Sequence, residues 1–331
     1  MDNITNTSTS IMEKQDPDPK SIQAEKQAKE NSSSGYSENE LAREKGKSKA
    51  IHSLLCLLAV LIPVIWVTIL RIAMLSNGEC TGDSFYHAGI AKMGPGVFLA
   101  KEFPWTEISI WHNYFADKEM LYHVLLWVIF SIQQMFGAAI HPPFHLPAMI
   151  VFTGMISACV FTARRMGIRP GLILAGSLLF CFLAPTGTYR LMMMRPHVLS
   201  LALLVTACGI MAKGSLKFSA AGMFILSFIY GWTYSNPHFI VIPALIFALF
   251  HCRNDRWKGF LVPGLSLAGV ILSMVVHPQF PNTFRIWKIQ AWDALISPMT
   301  GAKYIPKPME MLPPGFLWQL TVVPMYVLCF I

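Results

Sequence analysis

Charge is what this sequence has least of. Only 13% of its 331 residues are charged, about half the share of a soluble domain. The shortage is uneven. Residues 1–50 hold 17 of the 44 charged side chains, and beyond them 18 Lys/Arg stand against 9 Asp/Glu. Those basic residues fall in short clusters between apolar runs, a membrane-protein pattern. They form no continuous basic face, which excludes nucleic acid as a partner. Cysteine is equally uninformative as a framework. Of the seven, Cys56, Cys159, Cys181, Cys208 and Cys329 lie inside apolar stretches, where the thiol packs as a small hydrophobe. Cys80 and Cys252 stand near segment ends, and no CxxC or Cys/His spacing assigns a metal ligand.

What the chain has instead is long apolar runs. Residues 1–50 are rich in Ser, Asn, Lys, Glu and Gln, with Tyr36 the single aromatic, and read as a disordered cytoplasmic tail. Within it, Ile22 to Lys49 has the composition of a transient helix. The first apolar run starts at Ile51 and is too long for a signal peptide. Apolar segments then follow at roughly 51–75, 120–140, 146–163, 171–187, 196–213, 218–235, 238–252, 259–276 and 316–331. The expected fold is an all-α, polytopic bundle of transmembrane helices over 51–331, embedded in the bilayer. Two long polar intervals, 76–119 and 277–315, are rich in aromatic residues, Pro and His, as interfacial loops are. The final run reaches Ile331 without a polar flank, which reads as truncation.

Charge also sets a topology. With the Lys-rich tail inside and every segment crossing once, three basic clusters fall outside. They are Arg164/Arg165/Arg169, Lys213/Lys217 and Arg253/Arg256/Lys258, and the arrangement violates the positive-inside rule. One change moves all three back: segment 120–140 does not cross on balance. It carries His123, Gln133 and Gln134 and runs into His141-Pro142-Pro143, as a re-entrant helix covered by protein would. An additional crossing elsewhere restores the parity equally well. With the repair, Gly82–Lys118, His141–His145, Tyr189–His197, Ser235–His238 and His277–Glu310 share one outer face.

That face holds the scarce ionisable groups. Of the nine acids beyond residue 50, five lie from Glu79 to Asp117, and Glu119 is a sixth. A carboxylate at a bilayer boundary is costly unless paired or solvated, so their concentration marks a candidate site. The order Asp83-x-x-Tyr86-His87, Phe103-Pro104-Trp105 and Phe115-x-Asp117 before Tyr122-His123 resembles the first loop of GT-C superfamily membrane glycosyltransferases. Arg195-Pro196-His197 and Trp232-x-x-x-Asn236-Pro237-His238 resemble a poorly characterised bacterial branch of it, so that the likeness covers about 51–252. It implies a GT-C-like fold with short interfacial helices in the first extracytoplasmic loop, in a bacterial inner membrane. It also implies transfer of a sugar from a polyprenyl-phosphate donor to an acceptor on the extracytoplasmic face. Asp83 matches the family's first-loop acid, a general base or a ligand of a divalent metal ion; it stands beside Ser84, with no second carboxylate.

The chemistry assigns the remaining roles. A carboxylate assists the acceptor's loss of a proton, for which Asp83 is the candidate, with Asp117 as second acid. Cations stabilise the departing phosphate, for which Arg190, Arg195 and Lys101 are candidates. Tyr86, His87, His123, His197 and His238 complete the expected substrate-binding set. Asp83 also suits a helix N-cap, and Arg195 suits snorkelling to headgroups. A transporter, or a non-catalytic membrane protein, is the alternative.

Overall fold

The computed structural model describes residues 38–75, 82–137, 144–183 and 190–296. Tail residues 1–37, the ends of the 120–140 and 171–187 segments, most of His141–His145, and everything from 297 to Ile331 lie outside the described residues. The described chain is all-helical, without strands. Among the described residues, four helices are long and apolar enough to cross a membrane: Gly46–Met74, His145–Arg165, Pro196–Lys213 and Trp257–Val276.

The first helix, α1, runs Glu38–Met74. It begins inside the stretch expected to be disordered, because Glu38 to Lys49 is dominated by strong helix formers and has no proline. From Leu54 onward the chain packs as one unit. The first polar interval folds into α2 (Gly82–Met93), α3 (Pro95–Leu99) and a 3-10 turn at Ile110–His112. Gly94 separates α2 from α3 at φ 68°, a left-handed conformation that glycine takes without Cβ strain. Then come α4 (Met120–Met135), α5 (His145–Arg165), α6 (Pro170–Leu183), α7 (Pro196–Lys213), α8 (Leu216–Gly231), α9 (Val241–Asp255), α10 (Leu261–Val276) and α11 (Asn282–Trp287).

The two largest hydrophobic cores among the described residues join the helices of this unit. One joins α1, α2, α4, α5 and the start of α7 through Val67, Ala88, Leu126, Phe152, Met194 and Val198. The other joins the end of α7 to α8, α9 and α10 through Met211, Met223, Tyr230, Ala244 and Val270. Small residues bring the helices close. Ser227 and Ser266 share a hydrogen bond of 2.7 Å between α8 and α10, and the Thr162 hydroxyl of α5 donates to Val205 O of α7 at 2.7 Å. In membrane bundles such residues replace the hydrophobic driving force. Arg71, fully buried in the last turn of α1, donates to Met192 O and, at 3.3 Å, to Phe144 O. It thereby ties α1 to the approaches of α5 and α7.

These contacts sort the loops by end. At one end, Arg165 Nε donates to Gly209 O at 3.2 Å, and Gly167 lies beside the Lys213 ammonium. At the other, Leu121 N–H donates to Trp232 O at 2.7 Å. Lys101 Nζ donates to Phe280 O there, and the Asn282 amide donates to Lys101 O and Phe115 O, each at 3.0 Å. Residues 277–283 are thus stapled onto the first polar interval. The chain enters α4 beside Trp232 and returns at Phe144, against Phe85 of α2 and Arg71. At 16 residues, α4 is about 24 Å long, short of the ~30 Å hydrocarbon core.

Candidate active site at one end of the bundle

Asp83 lies in the first turn of α2, one residue past the helix start rather than at its cap. Its carboxylate, more than half exposed, meets Arg195 Nη2 at 2.6 Å. Arg195 has extended backbone and immediately precedes Pro196, which opens α7. Proline biases its predecessor away from helix, so the guanidinium is presented sideways to α2. Among the described residues no acceptor meets the buried Arg195 Nε. Beyond it, His197 Nε2 donates to Arg190 O at 3.2 Å.

One turn along α2 from Asp83, His87 begins a buried polar chain. His87 Nδ1 and His123 Nε2 are 2.8 Å apart, and His123 Nδ1 is 2.8 Å from both oxygens of Asp117. A carboxylate only accepts, so Nδ1 of His123 carries the hydrogen and Nε2 turns its lone pair to His87. Asp117 also accepts the Glu119 N–H at 3.2 Å, while its own N–H donates to Gln279 Oε1 at 2.5 Å. Tyr86 covers the chain, packed against His87, His123 and Trp111.

The electrostatics follow from burial. Desolvation, then the influence of His123, Arg195, Lys118 and His197, pushes His87 down to about 2. Desolvation raises the Glu119 carboxyl, with Lys118, His123 and a hydrogen bond from Ser235 opposing and Asp117 reinforcing. Burial and the two carboxylates Glu119 and Asp117 raise the Tyr86 hydroxyl. Asp83 and His87 stand one turn apart on α2, which sets the ion pair beside the buried chain.

Beside this chain is a small cavity of about 30 Å³, room for one water. Asp117, Lys118, Tyr234, Ser235, His277 and Gln290 line it, and Asp83 and Arg195 do not. A larger apolar cavity of about 380 Å³ lies among α1, α5 and α6 and contains none of the site residues.

Of the residues expected from sequence, Asp83, Tyr86, His87, Asp117, His123, Arg195 and His197 thus come together. Arg190 is exposed at the edge, contributing its carbonyl. Lys101 is engaged with Phe280 O, and His238 packs against Trp287, whose Nε1 donates to its Nδ1 at 3.3 Å. Glu119, Lys118, Gln279 and His277 join the assembled group and stand outside the set expected from sequence. Glu119 had a signal: it precedes His123 by four residues, which places both on one side of a helix start.

No family model, curated protein or solved structure matches this chain.

Proposed function

We propose that this is a membrane glycosyltransferase that moves a sugar from a polyprenyl-phosphate donor to an acceptor at the Asp83 end of the bundle. The observation that carries the reading is the solvent-reached Asp83 carboxylate held by Arg195 beside a buried Asp117–His123–His87 chain. The acceptor hydroxyl gives its proton to Asp83 as its oxygen attacks the anomeric carbon. The bond to the phosphate oxygen breaks, and the polyprenyl phosphate leaves with the electron pair. Arg195 carries donors beyond the one facing Asp83 and stabilises the charge that gathers on the leaving group. As the guanidinium turns to phosphate, the Asp83 carboxylate oxygen that it held is free to accept the proton. A guanidinium at 2.6 Å already supplies the positive charge that a metal ion at Asp83 would, so the residues do not fit an ion there and no step uses one.

The test is transfer from a polyprenyl-linked sugar by the purified protein in liposomes. Asp83→Asn is expected to lower the rate about 10²–10⁴-fold, the usual loss of a general base. It should leave folding nearly untouched, since an exposed ion pair contributes about 0–1 kcal/mol. Arg195→Lys keeps the charge, loses the planar fork, and should be milder. Full transfer by Asp83→Asn removes the base assignment; an inert wild type with every lipid-linked sugar tried removes the reading.

A further inference from the structure

We infer that His87, His123 and Glu119 form a binding site for a divalent transition-metal ion of the zinc class. One ligand atom each from His87 on α2, His123 in the first turn of α4 and the Glu119 carboxylate lie within 4.8 Å of one another, and all three residues are buried. Two imidazoles and a carboxylate are a zinc-class donor set, whereas calcium and magnesium take oxygen ligands. The outer partner is also in place. Asp117 accepts from His123 Nδ1 at 2.8 Å, which fixes the tautomer with Nε2 bare and aimed inward. This is the carboxylate–histidine arrangement that orients metal-binding imidazoles.

The cluster is hard to explain as packing. Two carboxylates, Asp117 and Glu119, are buried two residues apart, and a buried carboxylate stays ionised only beside a compensating charge. A divalent ion supplies that charge at the point where the lone pairs meet. The change required is small. Nitrogens bound tetrahedrally at about 2.0–2.1 Å stand about 3.3 Å apart, so the 2.8 Å His87–His123 contact opens by about half an ångström. His87 meanwhile carries its hydrogen on Nε2 instead of Nδ1. Three protein ligands leave a position for water or an anionic group, as in open metal sites.

This inference does not rest on the transfer reading, and it is tested by binding alone. The full chain, purified in detergent and stripped with a chelator, is titrated with Co²⁺ and followed by the d–d absorption of the bound ion, then challenged with Zn²⁺. One Co²⁺ per chain is expected, displaced by Zn²⁺. Asp117→Asn should weaken binding about 10–100-fold, as loss of an outer-shell partner does, and Glu119→Gln and His87→Gln by at least as much. Glu119→Gln relieves a buried charge, so it should unfold no earlier than wild type in chelator. It keeps the comparison valid even if His87→Gln folds poorly. Absence of Co²⁺ binding by the wild type overturns the site, as does unchanged binding by Glu119→Gln. Binding without transfer upholds the site and removes the transferase reading, and transfer without binding does the reverse.

Discussion

His277 stands just past the last turn of α10, with its Nδ1 accepting the Gln279 N–H at 3.2 Å. Burial lowers its pKa, with nearby Asp117 partly opposing. The folded value therefore lies below the unfolded value of about 6.5, and the unfolded chain takes up the proton first. The stability given by the neutral ring is complete above pH of about 6.5. It falls as pH drops through the window beneath, by at most about 1.4 kcal/mol per pH unit. His277→Asn keeps an acceptor that does not titrate, so a thermal-unfolding series from pH 7.5 to 5 should be flatter for the variant than for wild type. Equal slopes would remove the assignment. At this scale the sequence shows residue types but few partners. Asp83 and Arg195 are readable as scarce ionisable groups at segment ends; their pairing depends on how α2 meets α7. Arg71 is readable as an arginine inside an apolar run, but its carbonyl partners come from segments far along the chain. Glu119 is concealed for another reason: between Asp117, Lys118 and His123 it looks like part of a solvated charge cluster.

Among the elements, α8 and α10 approach most closely where side chains are smallest. A Cβ on Gly269 would clash with the backbone oxygen of Phe224 and stand 3.1 Å from Ser227 Cβ. Backbone cannot swing aside as a flexible side chain can, so Gly269→Ala must push the helices apart. Such overpacking costs about 1–3 kcal/mol, and thermal unfolding in detergent should shift down accordingly. Gly264→Ala, on the same helix with nothing within 4 Å of its Cβ, should be neutral or slightly stabilising, because alanine is the better helix former. A Gly269→Ala variant as stable as Gly264→Ala would show that the two helices are not tightly packed there. Helix positions are the most legible feature of the chain, since hydropathy marks them directly. Their limits are less so. The apolar run expected at 218–235 is a helix over Leu216–Gly231: Ser215 caps its start by accepting from Phe218 N–H, and Trp232 leaves it to donate to Ser273 O. A cap is one hydrogen bond, and hydropathy averages over it.

For the whole molecule, the informative feature is the return of the chain between α4 and α5. Met120 follows directly on the site loop, and Phe144 comes back against Phe85 and Arg71. α5 then carries the chain away to where Arg165 meets α7. From there α7 leads from Arg195 to Lys213, and α8 leads back to Trp232, which holds the start of α4. Every basic cluster described with its side chains on α5, α7 and α8 therefore lies at the end opposite Asp83. Charge counting alone reaches this grouping by an assumption about 120–140, because a segment's hydropathy does not report whether it returns. The first half of α4 packs against α2, α3 and the start of α5, Ile132, Met135 and Phe136 at its far end are exposed, and Phe144 already stands beside Phe130 and Phe85, so the chain turns back there. Single cysteines in a cysteine-free background, probed with a membrane-impermeant maleimide in oriented vesicles, test the grouping. Positions 107 and 190 should label from one side, and 169, 217 and 258 only after the membrane is opened, or the reverse set in vesicles of opposite orientation. All five are exposed, so reagent access is not the limit. Labelling of 107 and 169 from the same side would require α4 to cross, would put the basic clusters together on the side of 107, and would leave the Asp83 end without a single face.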